Sequence, residues 1–276
     1  MSYANILLQI DLDAFPTATV HLAARLADRY GARLIGAAAE GLRPPLVVDG
    51  VAVDDEATRT AERARIEAQL GTVEQRFRGL VGHLPDIDWR GGVAAPAANL
   101  LRHARAADLI VLPRRPYHGD ADALRTVDPA EIVVEAGRPV LVVPWGRETI
   151  SARSVVVAWK NTREARRALR ESVRFLASAE EVTLLGIQEP DATEPIKPEL
   201  EDVAGYLRRH AVTANVSIRR EIKGTVADEL ILAASAAGAD LIVAGAYGHS
   251  RFREWVLGGV TRDLMRDAPV PCFFSH

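Results

Sequence analysis

The sequence predicts two consecutive doubly wound α/β units, each built on a five-stranded parallel sheet. Continuous apolar runs alternate with amphipathic helical patterns along the chain, which is typical of parallel strands covered by helices on both faces. The 276 residues are more than one small domain needs and suit two. Landmarks of the first half also recur in the same order in the second, which indicates an internal repeat.

The repeat is visible at five landmarks, from the first apolar run of each half to a Pro-Val pair near its end. The matching segments are 5–10 with 154–159, 33–36 with 183–186, Gly92 with Gly224, 107–111 with 239–243, and 138–140 with 268–270. A polar stretch, residues 144–151, separates the halves. We therefore expect domains at 1–146 and 151–276.

The helices are predicted by apolar residues spaced three or four apart. The two clearest sets are Ala165, Leu169, Val173 and Leu176 within 162–177, and Ile66, Leu70, Val73 and Phe77 in a long helix before Gly79. Gly31 is expected to end the first helix. Residues 41–61 are an expansion of the first half, read either as a surface loop or short hairpin, or as a lid or docking edge.

Composition excludes several classes of protein. The chain is 48% apolar with a formal charge of −3, which gives no reason to expect a nucleic-acid partner. No apolar run approaches the ~20 residues of a membrane helix, and Cys272, the single cysteine, fits a reducing cytoplasm. The Ala/Arg-rich composition favours a bacterial source. The seven histidines are scattered, so no metal site is expected.

A glycine-spaced segment near the C-terminus is the strongest candidate site. Gly245 and Gly248 follow the apolar run 241–244, and Gly258 and Gly259 precede a helical pattern over 260–267. Glycines let the main chain approach an anion, and the N–H groups at a helix start point toward it. The segment therefore suits phosphate, although Gly245 and Gly248 alone could also form a tight turn.

The spacing G-x2-G-x9-G after an Asp-Leu-Ile-Val strand closely resembles the nucleotide-binding motif of the universal stress proteins. Together with the repeat, it resembles a tandem member in which two such domains share one chain. The resemblance implies a Rossmann-like fold of the adenine-nucleotide α-hydrolase type. It also implies a cytoplasmic stress-response regulator or interaction module that binds ATP with Mg²⁺ in its second half. No committed water-activating base is visible, so slow hydrolysis at most is expected rather than enzymatic turnover.

Carried over residue by residue, the resemblance implies a nucleotide site made by two strand ends, the glycine loop and a helix start. The residues are Ala158, Trp159, Lys160, Ile187, Ala244, Gly245, Gly248, His249, Gly258, Gly259, Val260 and Thr261. Two of them depart from the family pattern. Lys160 replaces the aspartate that contacts the base, and an ammonium group offers only hydrogen-bond donors. Gly259 stands where a hydroxyl is expected, with Thr261 two positions later.

The first half departs in the opposite way. Asp11 occupies the acidic position after the first strand, but the loop after 109–112 reads Pro113-Arg-Arg-Pro-Tyr-His-Gly119. It has no glycine pair, and prolines lack N–H donors. We expect this half to have lost the phosphate loop and to serve pairing, regulation or another ligand.

Two alternatives stay open. The chain could be a scaffold without nucleotide that works through protein contacts or another small ligand, or a pyrophosphatase or ligase of the related hydrolase-like group. The latter would carry a Ser/Gly-rich loop near a first strand, and neither 9–15 nor 159–162 has one. The resemblance also implies that the last strands, 140–143 and 270–274, pair with each other, which a tandem chain allows within one molecule; Pro271 removes one ladder donor, so an edge-type pairing is expected. An unknown protein partner and homodimerisation are compatible with this organisation.

Overall fold

Both halves contain the predicted alternation of strands and helices. The computed structural model describes residues 3–48, 51–53, 55–115, 122–188, 194–220, 224–247 and 259–276. The first half contains β1 (Asn5–Gln9), α1 (Thr17–Tyr30), β2 (Arg33–Glu40), β3 (Leu46–Val48), β4 (Val51–Val53), α2 (Glu56–Val81), β5 (Ile87–Val93), α3 (Pro96–Ala104), β6 (Leu109–Arg114), α4 (Pro129–Glu135) and β7 (Val140–Pro144). The second contains β8 (Ser154–Trp159), α5 (Arg163–Leu176), β9 (Glu181–Ile187), α6 (Lys197–Arg209), β10 (Ala214–Arg219), α7 (Val226–Ala236), β11 (Leu241–Gly245), α8 (Gly259–Asp267) and β12 (Cys272–Ser275).

The two sets of five strands form one continuous ten-stranded sheet. Its order is β10-β9-β8-β11-β12-β7-β6-β1-β2-β5, so each half keeps a doubly wound order. Neighbouring strands within a half are parallel, whereas β12 and β7 pair antiparallel, with Phe273 opposite Leu141. The predicted pairing of the last strands is therefore confirmed, and it joins the two expected sheets into one.

The expectation that Pro271 would make this an edge pairing is wrong. β12 lies inside the sheet, between β11 and β7. Pro271 comes just before the strand, and its carbonyl oxygen accepts a hydrogen bond from the Ile242 N–H at 3.0 Å. Its missing N–H therefore falls outside the ladder of β12.

Local sequence signals explain most element ends. Gly31 ends α1 with φ 60°, in the left-handed region that favours glycine. The Thr162 side chain caps α5 by accepting from the Ala165 N–H. The predicted end of α2 before Gly79 is wrong, because the helix continues to Val81. Gly79 is exposed there and has open space around its Cα. It is accommodated within the helix at the cost of only the low intrinsic helix propensity of glycine.

Two apolar layers cover the sheet, one against α1, α2, α5 and α6 and the other against α3, α4, α7 and α8. In the first layer an aromatic cluster joins the halves. Phe175 lies with its ring centroid 5.6 Å from Tyr3, 5.7 Å from Tyr30 and 6.0 Å from Phe273. The halves consequently share one hydrophobic core across their seam.

The expansion of the first half contains a short hairpin, in which β3 pairs antiparallel with β4. This agrees with the hairpin interpretation, and a lid or docking role stays a prediction. Among the described residues, no helix combines the length and apolar character needed to cross a bilayer.

Candidate functional site

The carboxyl ends of β8 and β11 meet at the point where the strand order of the second half reverses. From β8 the chain adds β9 and β10 on one side, and then returns to place β11 and β12 on the other. Ala158 of β8 lies directly opposite Ala244 of β11 in their parallel ladder. In open α/β sheets this crevice is where ligands bind. The fold thus brings Ala158, Trp159, Lys160, Ala244 and Gly245 together at the carboxyl ends of β8 and β11.

Gly245 is the last residue of β11 and lies against the first turn of α5. A Cβ atom on Gly245 would lie 2.7 Å from the carbonyl carbon of Glu164 and 2.8 Å from Cα of Ala165, and closer still to the Ala165 nitrogen. These are main-chain atoms that cannot rotate away. Packing alone therefore requires glycine at this position, whether or not a ligand approaches it.

Trp159 points away from the switch point. Its side chain is 7% exposed, and its indole Nε1 donates to Oε1 of Glu199 in α6 at 2.5 Å. Only the main chain of Trp159 is at the candidate site, and the side chain is a packing residue with a satisfied donor.

Ile187 ends β9, where it pairs with Arg219 of β10. The residue after it, Gln188, was missed by the sequence reasoning. Its amide oxygen accepts from the Ile196 N–H at 2.8 Å, and its Nε2 donates to the Glu194 carbonyl at 3.2 Å. Gln188 therefore ties residues 194–196 to the end of β9, on one side of the crevice. No spacing rule marks a glutamine for this role.

A hydrogen bond between Tyr247 and Thr261 joins the segment after β11 to the first turn of α8. Tyr247 was also missed from sequence. Tyr247 has φ 56°, which is uncommon for a residue other than glycine. Its N–H donates to Oγ1 of Thr261 at 3.3 Å, and Thr261 is 5% exposed. Burial raises the pKa of the Tyr247 hydroxyl, with a further contribution from Asp128 of the first half. The Thr261 oxygen thus already accepts a main-chain donor, while its O–H is still able to donate.

Gly259 begins α8, with Val260 and Thr261 in the same turn. Among the described residues, the nearest neighbour of a Cβ atom on Gly259 would be Oδ2 of Asp263, at 3.8 Å. In contrast to Gly245, none of these residues gives a steric reason for glycine here. The remaining predicted residues, Gly248, His249 and Gly258, lie outside the described residues.

The rim of the crevice at the start of α5 is charged. Lys160 is exposed, whereas Glu164 is 4% exposed and forms an ion pair with Arg163. Burial opposes ionisation of Glu164, but hydrogen bonds to its carboxylate, the strongest from Arg163, outweigh burial and lower its pKa. Glu164 is therefore a carboxylate at neutral pH.

In the first half, acidic and arginine side chains form ion pairs with each other at the corresponding carboxyl ends of the strands. Asp11, which follows β1 as Lys160 follows β8, is 2% exposed and accepts from the N–H groups of Asp13 and Ala14 at 2.9 and 3.0 Å. Nη1 of Arg115 lies 3.0 Å from Oδ2 of Asp11, an ion pair that lacks hydrogen-bond geometry. Burial raises the pKa of Asp11, against the opposing effects of these partners.

A second arginine covers the neighbouring strand end. Arg125 approaches Asp13 at 2.8 Å and the buried Glu40, at the end of β2, at 3.4 Å. The N–H of Gly41 donates to the carbonyl of Leu124 at 2.7 Å, and a Cβ atom on Gly41 would lie 2.8 Å from the Leu124 side chain. The segment that carries Leu124 and Arg125 is therefore packed over this end of the sheet. Part of the loop singled out in the sequence, 116–119, lies outside the described residues.

The described residues contain no group of three or more His, Cys, Asp or Glu side chains arranged to hold a metal ion.

Comparison with known proteins identifies the fold of the whole chain and the family of its second half. The model of the universal stress protein family matches residues 151–275. A universal stress protein from Archaeoglobus fulgidus DSM 4304 is 13% identical with a TM-score of 0.74, covering 100% of this chain and 99% of that one. A functionally unknown protein from Pseudomonas aeruginosa PAO1 is 13% identical with a TM-score of 0.58, covering 99% and 92%. Both similarities extend over the two halves and show a common fold.

A shorter solved structure, a universal stress protein in complex with cAMP, is 24% identical with a TM-score of 0.37. It covers 53% of this chain and 100% of that one. No curated protein matches the chain.

Proposed function

Residues 151–275 of the chain match the universal stress protein family, and on that premise we propose that the second half binds an adenine nucleotide, ATP with Mg²⁺ first among them. The observation that carries the proposal is the match of residues 151–275 to the family together with the crevice between β8 and β11, where the strand order reverses. The proposed ligand contacts are the predicted residues at the ends of β8, β9 and β11, in the glycine loop and at the start of α8.

The phosphate groups are assigned to the start of α8. The first N–H groups of a helix have no partner within the helix and favour an anion. Gly259 supports this assignment because the part of the chain that the structure describes leaves room for a side chain there. A glycine without a packing reason fits a position where a ligand approaches the main chain.

Lys160 changes how the base would be recognised. Its ammonium group cannot accept a hydrogen bond from the adenine amino group, but it can pair with a phosphate. We assign Lys160 to the phosphates and the base to main-chain groups near Ala158 and Ile187. ATP should then bind more tightly than AMP, since each added phosphate increases the charge that Lys160 can pair with.

In this proposal the protein is a nucleotide-dependent interaction module of the stress response and not a dedicated enzyme. The carboxylate of Glu164, at the rim of the crevice, is paired with Arg163 and is therefore not free to activate water. A cytoplasmic location is proposed with it, because the single cysteine is buried and unpaired.

The test is calorimetric titration of nucleotide-stripped protein with ATP, ADP, AMP and cAMP in the presence of Mg²⁺. Gly248→Val serves as the site variant, since a branched side chain should block close approach of the phosphates. ATP binding by the wild type that is lost in Gly248→Val supports the proposal. No binding of any nucleotide by the wild type overturns it.

The second candidate is a scaffold that has abandoned nucleotide. Three observations favour it: Lys160 replaces the acid expected after the first strand, Gly259 replaces the expected hydroxyl, and the Thr261 oxygen already accepts from Tyr247. Nucleotide in the supernatant of freshly purified, denatured protein separates the two candidates. A scaffold would release none, whereas a tight nucleotide-binding protein would release close to one equivalent.

A further inference from the structure

The exposed face of α5 carries a row of arginines. At about 100° per residue they lie within an arc of about 100°, and at about 1.5 Å per residue they extend over about 16 Å. The members of this arginine row, all exposed, are Arg163, Arg166, Arg167, Arg170 and Arg174.

Acidic groups within α5 do little to neutralise the row. The two glutamates of the helix lie to one side of the arc, Glu164 buried and Glu171 half-buried. Glu164 pairs with Arg163. Among the described residues, no carboxylate lies within ion-pair distance of Arg166 or Arg170. The centre of the row therefore presents uncompensated positive charge to solvent.

Hydrogen bonds hold two of these side chains in place, and the acceptor of Arg166 is an uncharged amide. Arg166 donates to the amide oxygen of Asn161 at 2.7 Å, and Arg167 donates to the main-chain oxygen of His276 at 2.6 Å. Such contacts restrict the rotamers of the guanidinium groups, which lowers the entropy cost of engaging a partner.

The row does not serve the stability of the helix. Like charges three or four residues apart repel each other, and cations near a helix N-terminus oppose its dipole. The corresponding helix of the first half, α1, contains only two arginines, Arg25 and Arg29, so the other copy of the repeat forms this helix without the full row.

Arg29 of α1 extends the arginine row across the seam between the halves, and we call the row together with Arg29 the positive band. The band is narrow. The guanidinium carbons of Arg174 and Arg29 both lie 5.6 Å from the centroid of the Tyr30 ring. Exposed acids lie beside this end of the band, Asp28 on α1 and Glu180 after α5. The band is therefore about one helix wide.

We propose that the arginine row is the docking surface for an acidic helical segment of a partner protein. Carboxylates at positions i, i+3, i+4 and i+7 of one helix repeat with the same period as the row, and guanidinium groups bind carboxylates through paired hydrogen bonds. A nucleic-acid duplex would extend beyond the band over the flanking acids. The net charge of −3 also opposes its approach.

The test uses two fluorescent peptides of about 18 residues, long enough to span the row. One has glutamates at i, i+3, i+4 and i+7 of a helix, and the other has glutamines there. The row variant is Arg166→Gln with Arg170→Gln, and the matched control is Arg208→Gln with Arg209→Gln at the exposed end of α6. Each double variant removes two positive charges and keeps good helix formers, and equal thermal unfolding establishes that both are folded.

The acidic peptide should bind the wild type and the control equally, measured by anisotropy at low salt. Binding should weaken by about tenfold or more in the row variant, and be lost for all proteins near 0.5 M salt, where charges are screened within ~4 Å. The glutamine peptide should not bind. The proposal is overturned by no binding of the acidic peptide, by equal binding to the row variant, or by tighter binding of a single-stranded oligothymidylate. Neither variant touches a proposed nucleotide contact, so failure here leaves the nucleotide proposal standing.

Discussion

Replacing Gly245 with alanine should test how closely β11 approaches α5. The added Cβ would lie 2.7 Å from the carbonyl carbon of Glu164 and 2.8 Å from Cα of Ala165, with the Ala165 nitrogen closer still. Cβ atoms essentially never approach other atoms so closely. The atoms in the way belong to the main chain, which cannot rotate aside as a side chain can. The start of α5 must therefore shift. Overpacking in a close-packed core costs about 1–3 kcal/mol, and a main-chain clash belongs at the upper end, about 3 kcal/mol.

The assay for Gly245→Ala is thermal and urea unfolding. For a chain of this size, about 3 kcal/mol corresponds to a Tm lower by roughly 6–10 °C. Gly259→Ala is the matched control, because among the described residues its Cβ would meet only Asp263, at 3.8 Å, and its stability should stay within about 0.5 kcal/mol of the wild type. If Gly245→Ala is as stable as Gly259→Ala, the close approach and the packing reason for Gly245 are refuted.

Two substitutions and one alkylation experiment test buried or half-buried side chains. Burial raises the pKa of Asp11, so the native state holds that proton more tightly than the unfolded chain, and this group destabilises the fold as pH rises above about 4. Asp11→Asn should therefore gain stability relative to the wild type in urea unfolding as pH rises above about 4, and a difference that does not change with pH would contradict this. Arg114→Ala removes a guanidinium that donates to the Ala268 carbonyl at 2.7 Å across the seam, so it should cost about 1.5–3 kcal/mol, and an unchanged Tm would be inconsistent with that role. Burial raises the pKa of Cys272 to about 12, so alkylation near pH 8 should require unfolding, and rapid reaction of the native protein would show an exposed thiol.

The sequence predicted the architecture well because its signals are redundant. Continuous apolar strands, helical periodicity and the repeat all point to doubly wound halves, and β12 pairs with β7 as expected. That pairing joins the two sheets into one ten-stranded sheet, which also requires the hydrophobic cores of the two halves to pack against each other. This packing is made by aromatic rings such as Tyr3, Tyr30 and Phe175. These residues are distant in sequence, so no local pattern predicts their contact.

The candidate site was predictable only in part. The glycine-rich segment marked Gly245 and Gly259 as candidate ligand contacts, although Gly259 stands where the motif has a hydroxyl. The structure separates the two, since main-chain packing requires glycine at 245, whereas the described residues leave open space around Gly259. Tyr247 and Gln188 could not be found from sequence, because a strained main chain and a side chain tying down a neighbouring loop depend on tertiary contacts. The pairing of Asp11 with Arg115 likewise joins the ends of two strands far apart in sequence.

The most direct test of the central proposal, nucleotide binding in the second half, is titration of nucleotide-stripped protein with ATP and Mg²⁺ on three proteins. They are the wild type, Gly259→Val and Gly79→Val. Both glycines are helical with room for a side chain, but only Gly259 belongs to the proposed site. We predict one ATP per chain for the wild type and Gly79→Val, and none for Gly259→Val. No binding by the wild type, or equal binding by all three proteins, would contradict the account.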